Sequence, residues 1–94
     1  MKYFDWDETK NKELTDERDV SFEDILVAIE DGCLLDIIKH PNHKKYPNQK
    51  IFVVCVIDYA YLVPFVEDEK KVFLKTIIPS RKATKYYLNN KNHE

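Results

Sequence analysis

At Gly32 the spacing of apolar positions in this chain changes from helical to extended, and it turns helical again after Ser80. At the start, Tyr3-Phe4-Asp5-Trp6 alternates as a short aromatic strand, and Asp7 stands where a helix N-cap belongs. Glu8 to Arg18 contains no Gly or Pro, and only Leu14 is clearly apolar, which predicts a polar helix that Trp6 helps to dock. Ser21 precedes a second helix, with Asp24 three residues on completing a capping box. Phe22, Ile25, Leu26 and Ile29 follow at i, i+3, i+4 and i+7, a single apolar stripe for the core. Gly32, the only glycine, falls where this helix must end and where a left-handed backbone favours a residue without Cβ.

Beyond Gly32, Cys33 to Lys39 predicts a strand, and His40-Pro41-Asn42 and Tyr46-Pro47-Asn48 bracket a loop with turn chemistry at both ends. Ile51 to Ile57 is apolar at both alternating sets, which predicts a strand covered on both faces. A tight turn near Asp58 leads into Tyr59 to Val66, where Pro64 lacks a ladder donor and predicts an edge position or a local bulge. Glu67 to Lys70 makes the next turn and Val72 to Ile78 the last strand. Ser80 then caps a C-terminal helix with Ala83, Tyr86 and Tyr87 on one side. The expected fold is α+β: a short N-terminal strand, two helices, a four-stranded antiparallel meander and a C-terminal helix, with the helices gathered on one face.

Composition narrows the class without naming a function. Ninety-four residues suit one domain. The longest apolar run, Ile51 to Ile57, is seven residues, against roughly 20 for a membrane-spanning helix, and no apolar stretch follows a basic start. The cytoplasm is therefore the expected compartment. Cys33 and Cys55 lie in apolar surroundings without C-x-x-C spacing and read as buried free thiols.

Charge changes the picture more. The net −2 divides into 11 acidic and 4 basic side chains in residues 1–31, and 6 acidic and 11 basic in residues 32–94. Lys70 to His93 holds seven bases and no acid. Such a split allows a local anion-binding surface on a protein of acidic pI.

One glycine cannot build a phosphate-cradling loop, and no H-E-x-x-H or zinc-spaced Cys/His cluster occurs, so neither metal nor cofactor is expected. His40 and His43 share a loop with Lys39, Lys44, Lys45, Tyr46 and Lys50, a set containing no acid. Cations repel a divalent metal and favour a proton-transfer role for these histidines. Lys75, Arg81, Lys82 and Lys85 extend the basic set to the last strand and helix, where Arg81 and a helix N-terminus together suit a phosphate. Tyr46, Tyr86 and Tyr87 are of the type that stacks single-stranded bases, although Tyr86 and Tyr87 serve equally well as packing residues. Metal-free RNA cleavage needs a base for the 2′-hydroxyl, cations for the pentacoordinate phosphate and an acid for the leaving oxygen. His40 or His43, Lys50 or Lys75, Arg81 and a tyrosine are the candidates for those roles.

Phe4-Asp5-Trp6-Asp7-Glu8-Thr9-Lys10-Asn11 with Val20-Ser21-Phe22-Glu23-Asp24 resembles the F-x-W-D-E-x-K-N and V-S-F-E-E opening of BrnT-type toxins. Ile77-Ile78-Pro79-Ser80-Arg81-Lys82-Ala83-Thr84-Lys85 is similar to that family's closing I-I-S-A-R-K-A-T-R. The resemblance implies a RelE-like fold and a ribonuclease toxin of a type II toxin–antitoxin pair. Its partner would be a ribbon-helix-helix antitoxin, through which alone DNA is contacted. It places Arg81 at the closing arginine and Lys50 where the family usually has an arginine. Arg18-Asp19 replaces the family's His-Gly, and its mid-strand glycine is absent from Phe52 to Val56. The expected site is therefore Arg81, Lys50, His40 and His43 for catalysis, with Lys75, Lys82, Lys85, Lys44, Lys45 and Tyr46 gripping RNA. The rival expectation is a non-catalytic interaction module of the same fold.

Overall fold

The computed structural model describes residues 2–89, so Lys91 and His93 of the basic C-terminal stretch lie outside the described residues. The helix starts form where side chains accept backbone N–H groups that the helix itself leaves without partners. Asp7 accepts from the Thr9 N–H at 2.9 Å and opens α1 (Glu8–Arg18). Ser21 and Asp24 exchange reciprocal bonds of 3.1 and 3.0 Å, the capping box expected at the start of α2 (Phe22–Glu30). Gly32 takes φ +86°; its N–H donates to Ile29 and the Cys33 N–H to Ala28, the paired bonds of a Schellman stop. Asp19 ends α1 in the left-handed region at φ 56°.

α1 is held by polar bonds that its hydrophobic pattern does not announce. Leu14 and Asn11 are its only buried residues. The Asn11 amide donates to Glu23 Oε1 at 2.7 Å, while its carbonyl oxygen accepts the Phe22 N–H at 2.8 Å. That amide bond holds the Glu23 carboxyl below its ordinary range. Trp6 stacks on Phe22 with centroids 5.6 Å apart, so the aromatic segment docks on α2. The Arg18 guanidinium donates to the Ile77 carbonyl and ties the end of α1 to the far end of the sheet.

The meander forms as expected: β2 (Leu34–Lys39), β3 (Gln49–Val56), β4 (Tyr59–Glu67) and β5 (Lys71–Leu74) pair antiparallel in sequence order. β1 (Tyr3–Asp5) joins outside β5 in parallel, so the sheet is mixed and runs β1-β5-β4-β3-β2. Pro64 does not put its strand at an edge, since β4 lies between β3 and β5. The Pro64 carbonyl accepts the Lys75 N–H at 2.8 Å, which shows that its missing N–H faces the same flank. There the neighbouring strand breaks after Leu74 and resumes as β6 (Ile78–Pro79), paired with Leu62 and Tyr61. Three residues, Lys75 to Ile77, face two on β4, so the expected Val72–Ile78 strand is two strands around a bulge.

The expectation that all helices share one face is also corrected. Phe52, Val54, Val63, Phe65 and Leu74 pack against Leu14 of α1, Phe22 and Ile25 of α2, and Val20 between them. Val53 and Ala60, on the opposite face, pack with Ala83 of α3 (Arg81–Ala83), which runs on into a π-helical segment (Thr84–Asn89). The result is a three-layer α/sheet/α arrangement, required because both faces of β3 are apolar. Cys33 and Cys55 are free but only half-buried, at the end of the sheet where α2 stops. Among the described residues, no helix is long and apolar enough to cross a membrane.

β3 and β4 are joined by the two residues Ile57 and Asp58, both at positive φ (49° and 61°), the backbone signature of a type I′ hairpin. A β-branched residue is strained there, whereas Asn accepts that conformation. Ile57→Asn is therefore expected to stabilise the fold by about 1 kcal/mol, read by denaturant unfolding with an unchanged m-value. Asn11→Ala strands the buried Phe22 N–H and is expected to cost about 2 kcal/mol in the same assay.

Candidate functional site

The C-terminal helix is placed by a small set of bonds to β4. The Ser80 N–H donates to the Ala60 carbonyl at 3.0 Å, and the Ala60 N–H donates to Thr84 Oγ1 at 2.9 Å. Thr84 Oγ1 in turn donates to the Ser80 carbonyl at 2.8 Å, while Ser80 Oγ caps the helix by accepting the Ala83 N–H at 3.0 Å. Ala60 and Ala83 are both buried, and their small side chains let the helix lie close against the strand. Sequence reasoning found Ser80 and missed Thr84, although its spacing of four residues from the cap puts it on the same face of the helix.

Farther along, the Tyr87 hydroxyl donates to Asp36 Oδ2 on β2 at 2.7 Å. The accepting carboxylate, and secondarily burial, push the Tyr87 pKa up to about 12. Tyr87 is thus an anchor spanning the sheet. Tyr86 meets it edge-on at 4.8 Å and remains 65% exposed, free to stack against a ligand.

Between this helix and the sheet lies a cleft of about 510 Å³. Ile38, Val53 and Leu62 form its floor, and Lys82, Lys85 and Tyr86 stand among its walls. No carboxylate lines it. Among the described residues the ion pairs are Lys2–Glu67, Lys50–Glu67 and Lys71–Asp5, at 2.9, 3.5 and 3.5 Å, and none engages Lys75, Arg81, Lys82 or Lys85. Unpaired cations over an apolar floor with an exposed aromatic ring suit an anion that carries a flat apolar group.

No protein-family model, curated protein or solved structure matches the chain.

The remaining expected site residues divide between the faces. Arg81 opens α3, exposed beside the cleft. Lys50 lies within β3 on the same side as Phe52 and Val54, and pairs with Glu67; it therefore belongs to the α1/α2 face, away from Arg81. The parity of Lys50 with those two core residues carried this information in the sequence. His40, His43, Lys44, Lys45 and Tyr46 occupy the β2–β3 loop, which leaves the sheet two residues after Ile38 of the cleft floor. His40 Nδ1 accepts the Asn42 N–H at 3.0 Å and its ring lies 4.8 Å from Tyr46, so this histidine organises the loop. His43, Lys44 and Lys45 are exposed. Lys75 is exposed at the bulge opposite Pro64. Among the described residues, no group of three or more His, Cys, Asp or Glu side chains is gathered to hold a metal ion.

Tyr87→Phe is expected to lower the melting temperature at neutral pH by removing a hydrogen bond to a charged acceptor. Because the folded-state pKa exceeds the unfolded value, the bond stabilises fully below about pH 10 and its contribution fades as pH rises toward about 12. The melting-temperature gap between wild type and Tyr87→Phe should accordingly narrow from pH 9 to pH 12.

Proposed function

We propose that the chain is a BrnT-like, RelE-like ribonuclease toxin that grips RNA across the α3 face and is neutralised by a ribbon-helix-helix antitoxin. The supporting observation is that the segment carrying the closing resemblance, Ser80 to Lys85, also brings Lys82 and Lys85 to the cleft, where Asp36, bonded to Tyr87, is the nearby acid. Asp19 adds support, since its left-handed backbone at the position of the family's glycine is a conformation glycine favours. In this reading Arg81 stabilises the charge on the pentacoordinate phosphate, Lys82 and Lys85 hold flanking phosphates, and Tyr86 stacks on a base. His43 is the candidate for proton transfer, because His40 already spends Nδ1 within its loop. Tyr87, with its hydroxyl proton held by Asp36, orients the helix and is a poor acid near neutral pH. DNA is reached only through the antitoxin.

A second reading is favoured by the sidedness of Lys50. A catalytic pair drawn from Arg81 and Lys50 is split between opposite faces, which suits a non-catalytic interaction module better than a finished active site.

Purified wild-type protein is expected to cleave RNA in the presence of chelator, with Arg81→Ala slowed about 100-fold. Lys82→Glu with Lys85→Glu should weaken RNA binding and flatten its salt dependence. Equal cleavage by wild type and Arg81→Ala would expose a contaminating nuclease, and no cleavage with retained binding would favour the interaction module. Lys50→Ala should leave the rate unchanged.

A further inference from the structure

A second cleft, of about 310 Å³, opens between α2 and the β3–β4 turn. Val27, Val56, Cys55 and Ile57 supply its apolar surface, and Asp24 and Asp31 its charge. Two large aliphatic side chains here face solvent: Val27 is 57% exposed and Ile57 94%. The folded state does not account for the second of them. At 94% exposure Ile57 buries almost nothing, and its backbone sits at φ 49°, where a β-branched side chain is strained. Asn, Asp or Gly would satisfy the turn better.

We propose that this cleft docks a basic segment of a partner protein, one presenting an aliphatic side chain flanked by Lys or Arg. The charge of the site selects this occupant. Asp24 and Asp31 line the cleft, Asp58 adjoins Ile57, and no Lys or Arg is among the lining residues. No ion pair among the described residues engages these three carboxylates. The acidic rim repels RNA and anionic lipid headgroups, whereas a cationic segment gains on approach and then covers Val27 and Ile57. The site does not depend on the RNA reading of the α3 face, because it lies by α2 on the opposite layer and uses the opposite charge.

The test titrates the full chain with a 15-residue amphipathic peptide of Leu and Lys, and with its counterpart carrying Glu for Lys, by calorimetry and amide-resolved NMR. The Leu/Lys peptide is expected to bind saturably, to move the amides of Val27, Cys55 and Ile57 most, and to weaken as salt is raised. Ile57→Asn should reduce its affinity at least 10-fold while melting higher than wild type, which separates lost docking from lost folding. Asp24 serves the capping box, so the charge test uses Asp31→Lys, expected to weaken binding with the helix start intact. The proposal is overturned by undiminished binding to Ile57→Asn, by equal binding of the Glu peptide, or by the absence of saturable binding. Shifts centred on Tyr86 would also overturn it, as would self-association that Ile57→Asn abolishes, which would make a second copy the occupant.

Discussion

The constraint on which the structure depends is the two-sided hydrophobicity of β3. Phe52 and Val54 face one layer and Val53 the other, and all three are buried. A strand that is apolar on both faces cannot border water on either, so the sheet must be covered twice. The amphipathic α2 and the lightly anchored α1 satisfy one face. On the other, α3 and the segment that follows it pack over Val53, while Ile38 and Leu62 beside them stay half-buried and line the cleft. The candidate site thus arises from incomplete coverage of a face that folding had already made apolar.

The second helical layer also separates charge. α1 and α2 carry most of the acidic residues of the first 31 positions, and α3 with the π-helical segment after it brings Arg81, Lys82 and Lys85 to the far side. Between the layers lies a sheet buried enough to keep the two populations apart, so cancellation in the net charge does not mean cancellation in space. Cations near the start of a helix oppose its dipole, and no carboxylate pairs with them among the described residues. Their placement is unfavourable for the isolated fold and favourable for an anionic ligand.

Local signals carried most of what was legible. The capping box at Ser21, the glycine stop at Gly32, the two-residue turn at Asp58 and the meander all depend on neighbours within a few residues. Nonlocal choices were not legible. Nothing in Tyr3 to Asp5 specifies a parallel partner at Lys71 to Phe73, and nothing in the Ser80 helix alone says which face it covers. Asn11 leaves no trace in the pattern, because a polar residue in a polar helix shows no periodicity, yet its amide fixes α1 to α2. The sequence around Pro64 shows a missing donor but not the flank it faces; the bulge at Lys75 to Ile77 absorbs it inside the sheet. For the site, residue types were legible and their grouping was not. Lys82 and Lys85 share one cleft, while Lys50 falls on the other layer by strand parity.

Two clefts of opposite character on opposite layers place a condition on any partner. A polyanion seated on the proposed Lys82, Lys85 and Tyr86 site would leave Val27 and Ile57 uncovered, because Asp24 and Asp31 repel negative charge. A partner that silences the cationic face by occupying it must therefore bring acidic or apolar groups, whereas one that docks beside Ile57 must bring basic ones. A single protein segment of uniform charge cannot do both. A partner that engages both clefts needs two segments of opposite sign, joined by a linker long enough to pass around the sheet. Linking them would raise the local concentration of the second segment once the first is bound, so that modest affinity at each cleft yields tight overall capture. The polarity that disappears in the sum of −2 would thus set the charge that any partner of either cleft has to carry.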